Sequence, residues 1–283
     1  MGSKCDADSQ PSTSQGQNEA RAIEMTEPKI LFDDGAAYER VMGVWSALAG
    51  NVFLDWLLPA QGMSWVDVGC GNGAFTELIV DRCQPARVHG IDPSEAQLVF
   101  ARQRNTSSVV EFQIGDALAL PYANASFDAA IMALVIFFVP EPAKGVAEMV
   151  RVVKSGGTVA TYAWDILGGG LPYAPVGVEL RGLGVTMPMP PSPGASLMPN
   201  LRKLWTSAGL IAVEVLEITV QRTFADFDDF WITTELAFAG TFANMAPHDV
   251  NLVKERVRAR LPADDDGHIT YGARVNAIKG QVR

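Results

Sequence analysis

The sequence predicts an α/β fold, a mostly parallel sheet with helices on both faces. Three observations carry that expectation. From Trp65 to residue 165, strand-length apolar runs alternate with segments of helical character, a pattern that lays successive strands parallel with helices covering both sides. Residues 65–79 read as a buried strand, a turn holding Gly69, Gly71 and Gly73, and the start of a helix. Glycines that closely spaced let the backbone turn sharply and keep side chains away from a ligand. A second strand, 87–91, ends at Asp92. An acidic residue about twenty positions beyond such a turn can accept hydrogen bonds from both hydroxyls of a ribose.

The elements follow in chain order. Residues 1–26 are rich in Ser, Gln, Asp and Glu and hold almost no large apolar side chain, so they are expected to be a disordered tail. Ordered sequence begins near Ile30. Over 36–58, Tyr38, Val41, Met42, Trp45, Leu48, Val52 and Trp56 recur at steps of three and four, the period of an amphipathic helix. Gly50 and Pro59 mark breaks, and residues 27–60 form a helical cap. After the first two strands, Pro93 opens a helix that Asp92 can cap, with Glu95 in its first turn. Residues 109–114 are a third strand. Residues 127–138 are the most apolar run and read as a fourth, and 158–164 as a fifth. Past Asp165 the alternation stops. Gly168 to Gly170 and the proline-rich 187–194 frame a loop-rich stretch with a short helix at 176–183. A helix at 197–208 ends at Gly209, and 211–222 alternates as a strand. An aromatic-rich helix at 227–242, a charged helix at 247–260 and a strand at 269–282 complete the chain. The organisation expected is one domain, 27–283, with insertions at 166–196 and 226–267 that cover a ligand.

The turn also narrows the ligand. It is Gly-x-Gly-x-Gly, with Ala74 where a dinucleotide fingerprint would place its third glycine. Asp67 stands two residues before the first glycine. A carboxylate there opposes a pyrophosphate and favours a sulfonium or an ammonium group. A third acidic marker, Asp116, follows the third strand in Gly115-Asp116-Ala117.

This ordered set, Asp-Val-Gly-Cys-Gly-Asn-Gly, then Asp92, then Gly-Asp-Ala, then the apolar run, resembles the class I S-adenosylmethionine-dependent methyltransferases. Within them it is similar to the small-molecule branch, methyltransferase type 11, that includes the ubiquinone/menaquinone C-methyltransferases. The resemblance covers about residues 35–165 well and the rest loosely. It implies a Rossmann-like, mostly parallel seven-stranded sheet whose last strand is antiparallel, and S-adenosyl-L-methionine as cofactor. It further implies that Gly69 and Gly71 pass the backbone under the methionine part, and that Asp67 binds the ammonium group directly or through water. Asp92 would take the ribose hydroxyls and Pro93 would lie on the adenine. Asp116 would accept the adenine amino group while Ala117 offers its N–H to a ring nitrogen. Leu134 would line the cleft. The element Tyr-x-x-x-Met-Gly-x-Trp-Ser, residues 38–46, looks like one that closes over the cofactor, with Tyr38 at the methionine end and Trp45 on the same cleft. Each residue also has a plainer role open to it: a cap for Asp92, a turn for Asp116, ordinary packing for Leu134, Tyr38 and Trp45.

Composition sets the outer bounds. The 283 residues carry a formal net charge of -10, which disfavours nucleic acid, since affinity for it comes mainly from neutralising phosphates. No apolar run reaches the ~20 residues of a membrane span, and a cytoplasmic protein is expected. Cys5, Cys70 and Cys83 form neither metal spacing nor a disulfide framework. His89 reads as structural, while His248 and His268 are candidate bases. The aromatic residues Tyr173, Phe227, Phe230, Trp231, Phe238 and Phe242, with Met187 and Met189, are candidates for an apolar substrate pocket. The function expected is methyl transfer to a small apolar or aromatic molecule by in-line attack on the sulfonium methyl. An NAD-type oxidoreductase and a non-catalytic S-adenosylmethionine binder stand as alternatives.

Overall fold

The computed structural model describes residues 39–283. The expected tail at 1–26, the start near Ile30 and the Tyr38 contact all lie outside the described residues.

The first helix, α1 (Val44–Leu57), is preceded by one π-helical turn, Glu39–Gly43. Then come β1 (Ser64–Val68), α2 (Ala74–Cys83), β2 (Arg87–Asp92), α3 (Glu95–Arg104), β3 (Val110–Ile114) and β4 (Phe127–Ala133). The second half holds α4 (Pro142–Val152), β5 (Val153–Trp164), α5 (Ala174–Gly182), α6 (Met198–Ser207) and β6 (Ile211–Phe224). It closes with α7 (Phe227–Ala237), α8 (Ala239–Phe242), α9 (Pro247–Arg260) and β7 (Ile269–Gln281).

The seven strands run in the order β3-β2-β1-β4-β5-β7-β6. All are parallel except β7, which is antiparallel to both β5 and β6. A dinucleotide-binding sheet in its usual form has the order 3-2-1-4-5-6, so the wedged antiparallel strand argues against the oxidoreductase alternative. Helices α1, α2 and α3 pack in succession, while α4 packs on β4, β5 and α6. Apolar side chains fill the centre: Val66, Val68, Ala130, Ile131, Val159 and Ala160 are fully buried. No described helix is long and apolar enough to cross a membrane.

Several expectations are corrected. Gly50 does not break α1, because the missing side chain is a packing device. A Cβ there would lie 2.9 Å from Leu78 Cδ1 and 3.1 Å from the Tyr162 hydroxyl. The fourth strand stops at Ala133 rather than running to Phe138. Leu134 turns left-handed at φ 63, and Ile136–Phe138 form a 3-10 turn. The apolarity of 134–138 reflects burial, which a turn at the sheet's end shares with a strand. The cap of α3 is Ser94, whose hydroxyl accepts from the Gln97 N–H at 3.4 Å, and not Asp92. The aromatic-rich helix is interrupted at Phe238 between α7 and α8.

The two insertions pack on each other, the first also against Trp45 of α1 and the second against the π-turn before it. Glu179 of α5, with a side chain only 7% exposed, accepts from Arg260 Nε of α9 at 2.6 Å, and Arg256 lies 3.6 Å away. Phe230 and Trp231 of α7 are buried, Phe230 against Phe224 of β6 and Trp231 between Phe227 and Phe242.

Candidate ligand site

The site begins at the glycine turn. The Gly69 and Cys70 N–H groups both donate to the Ile91 carbonyl, at 2.7 and 3.0 Å, tying the turn to the end of β2. Gly69, Gly71 and Gly73 have φ of 76°, 52° and 79°, a region costly for any residue with a Cβ. Their surroundings differ. A Cβ on Gly69 would meet Val135 Cγ1 at 2.5 Å and one on Gly73 would meet Ala101 Cβ at 3.0 Å, whereas one on Gly71 finds only Gln97 Oε1 at 3.9 Å. Gly71 is therefore the glycine whose backbone stands open to a ligand.

That open side is a cavity of about 490 Å³ at the carboxyl ends of β1, β2 and β4, where open α/β sheets bind their ligands. Of the residues expected at a ligand, Gly69, Gly71, Asp92, Pro93, Asp116, Ala117 and Leu134 all line it. Asp92 Oδ2 accepts from the Gly71 N–H at 2.9 Å and Oδ1 from the Ser94 N–H at 2.9 Å. A carboxylate has about four lone-pair sites, so each oxygen keeps one for a ligand hydroxyl. Burial raises the Asp92 pKa, and the Ser94 and Gly71 hydrogen bonds pull it back. Asp116 Oδ1 accepts from the Leu118 N–H at 2.8 Å, so the turn role is filled as well.

Asp67 does not line the cavity. Its place in the middle of the sheet, between Gly90 of β2 and Ile131 of β4, encloses it completely. Oδ2 accepts from the Thr76 hydroxyl at 2.7 Å, and Oδ1 is buried with no hydrogen-bond partner among the described residues. Burial pushes its pKa from 3.8 to about 7; the Thr76 bond opposes this and the nearby Asp92 adds to it. Trp45 is also withdrawn from the cleft. It is fully buried against Tyr173, Phe224 and Tyr271.

Sequence reasoning missed Ser46 of α1, Phe75 of α2, Tyr162 of β5, and Phe138, Val139 and Pro140 after β4, all on the cavity wall. Ser46 follows Trp45 in the motif already singled out, and its polarity on an apolar stripe was a usable signal. The others sit in ordinary apolar runs with no mark of their own. None of the insertion aromatics, neither Met187 nor Met189, and neither His248 nor His268 lines the cavity. His89 lies within β2 beside Tyr122 and Phe127, and burial lowers its pKa. Among the described residues, the charged side chains on the wall are the two carboxylates Asp92 and Asp116, with no lysine, arginine or histidine. No cluster of three or more His, Cys, Asp or Glu among the described residues could hold a metal ion.

Comparison with known proteins agrees with this geometry. Residues 66–161 match the family described as a methyltransferase domain. A demethylmenaquinone methyltransferase of Desulfitobacterium hafniense (strain Y51) is 37% identical over 105 residues, 35% of this chain and 42% of that protein. A 2-methyl-6-phytyl-1,4-hydroquinone methyltransferase of Oryza sativa subsp. japonica is 39% identical over 107 residues, 36% of this chain and 32% of that protein. The matches span about half the length of such relatives or less. Among solved structures, phosphoethanolamine N-methyltransferase 2 of Haemonchus contortus, bound to phosphomonomethylethanolamine and S-adenosylhomocysteine, superposes with a TM-score of 0.56 at 17% identity. That match covers 89% of this chain and 58% of the other, and it speaks for the fold.

Proposed function

We propose, from the premise that residues 66–161 belong to the methyltransferase-domain family, that this chain transfers the methyl group of S-adenosyl-L-methionine to a small, apolar or aromatic molecule. One observation carries the reading: the glycine turn, Asp92 and the Asp116-Ala117 pair, far apart in sequence, converge on one cavity wall.

The residues fit such a ligand. The open backbone at Gly71 admits the methionine part, and the free lone pairs of Asp92 suit a ribose diol. Pro93 offers a flat apolar surface to a purine. Asp116 provides an acceptor for an exocyclic amine, and the Ala117 N–H a donor for a ring nitrogen. Asp67, enclosed behind the turn and off the cavity wall, makes no direct contact with the ligand. When bound, the cofactor supplies a methyl group on a cationic sulfur, already activated for attack. What remains for the protein is to align an acceptor with that methyl and exclude water. Val135, Phe138, Val139, Pro140 and Tyr162 make the apolar part of the wall. Among the described residues no cation lines the cavity to pair with a phosphate or carboxylate, which favours an uncharged acceptor. The two relatives named for a demethylmenaquinone and a 2-methyl-6-phytyl-1,4-hydroquinone support an electron-rich ring as acceptor.

The test is a methyl-transfer assay with radiolabelled S-adenosyl-L-methionine against neutral hydroquinones and phenols and against phosphorylated amines. Label transferred to a neutral aromatic acceptor is the expected result. Tight S-adenosylhomocysteine binding with no turnover on any acceptor would favour the non-catalytic alternative. Transfer confined to phosphorylated amines would refute the acceptor class.

A further inference from the structure

The insertions leave no side chain on the cavity wall, yet they hold the segment that does reach it. Tyr173 heads α5 at φ 63 and is 2% exposed, a left-handed backbone that a bulky residue keeps only where its surroundings enforce it. Its hydroxyl donates to the Val41 carbonyl at 3.0 Å and accepts from Trp45 Nε1 at 3.4 Å. Val41 belongs to the π-turn Glu39–Gly43, and Trp45 to the first turn of α1. The next residue, Ser46, is on the cavity wall. The second insertion braces the same point: the Phe230 ring of α7 lies 5.8 Å from that of Tyr173. Single π-helical turns occur mostly as bulges inside α-helices, often at functional sites, and the one that leads into α1 here is fastened to an insertion more than a hundred residues away.

We infer that Tyr173 is a positioning residue for the ligand cleft. Its hydroxyl fixes Val41 and Trp45, holding Ser46 against the cavity, so the first insertion sets how firmly the cleft grips a nucleoside ligand without touching it. The inference rests on the S-adenosyl reading of the cavity.

Tyr173→Phe in the full chain keeps the ring and removes both hydrogen bonds. The dissociation constant for S-adenosylhomocysteine, measured by calorimetry, should rise about three- to tenfold, the range one buried hydrogen bond supplies. Amide exchange over residues 41–50 should accelerate with or without ligand, while amides of β1 and β4 keep their protection. Trp45→Phe removes the donor to the same hydroxyl and should move both readouts the same way by less; it decides the matter if Tyr173→Phe does not fold. Unchanged affinity in the folded variant, or exchange that rises evenly across the sheet, would overturn the inference. Failure of the parent to bind S-adenosylhomocysteine would sink the cofactor reading, and the exchange measurement would still decide the anchoring role.

Discussion

Replacing Asp67 by asparagine should change how stability responds to pH. The carboxyl has an unfolded pKa near 3.8 and a folded value of about 7, raised chiefly by burial. Between those values the native state holds a proton that the unfolded chain has released, so stability is fully present below pH 3.8 and is lost as pH rises toward 7. The loss is about 1.4 kcal/mol per pH unit, or about 4 kcal/mol across the window. The asparagine side chain cannot ionise, and its amide oxygen can still accept from the Thr76 hydroxyl. Its nitrogen, buried where Oδ1 had no partner, adds a penalty that does not depend on pH. The stability difference between variant and parent should therefore shift by about 4 kcal/mol in favour of Asp67→Asn from acid to slightly alkaline pH. Urea unfolding of both proteins across that range measures it, and ionisable groups not coupled to Asp67 cancel. Parallel stability curves would refute the reasoning, showing that Asp67 is ionised in the native state or reached by water.

The remaining predictions concern the cavity and the insertions. Asp92→Ala should weaken S-adenosylhomocysteine binding more than Asp116→Ala, because Asp92 can serve two ligand hydroxyls, at about 1.5–3 kcal/mol per bond to a charged acceptor, and also pins the Gly71 N–H; calorimetry giving equal losses would count against the ribose assignment. NADH should not bind, and a tight NADH isotherm with no response to S-adenosylhomocysteine would reverse the cofactor reading. Gly71→Ala should fold with a loss of about 1–2 kcal/mol from its left-handed backbone and lose ligand binding. Gly69→Ala should lose more stability because its Cβ collides with Val135, so a thermal melt showing Gly69→Ala as robust as Gly71→Ala would contradict the packing. Trp231→Ala should cost about 3–5 kcal/mol, as for other buried aromatics, with little change in S-adenosylhomocysteine affinity of the folded protein; a selective loss of affinity would return Trp231 to the site.

What could be read in the sequence was whatever backbone chemistry imposes locally. Gly69, Gly71 and Gly73 announce a turn because other residues resist its φ values, and Asp92 and Asp116 stand out as acidic residues at the ends of apolar strands. β7 was legible as a strand, and its direction followed from family resemblance alone. Three things were hidden. The end of β4 at Ala133 falls inside a uniformly apolar run, since core strand and buried turn present the same composition. The enclosure of Asp67 depends on its neighbours in β2 and β4, which register and not residue type decides. The destination of the insertion aromatics was also undetermined: Phe230 and Trp231 at helical spacing serve a core or a pocket equally well, and only packing against Phe224, Phe227 and Phe242 chose the core.

Glu179 carries a consequence for how this chain can vary. Its carboxylate is supplied by the first insertion, and both guanidinium groups that neutralise it, Arg256 and Arg260, by the second. Exchange the second insertion alone for one from another protein and the enclosed Glu179 loses both counterions, a defect worth about 3–5 kcal/mol, whereas exchange of the first alone only takes this carboxylate from two half-exposed arginines. The two stretches are thus a single transplantable module despite the strand that separates them in sequence. A graft of these insertions should carry residues 166–267 as one piece, β6 included.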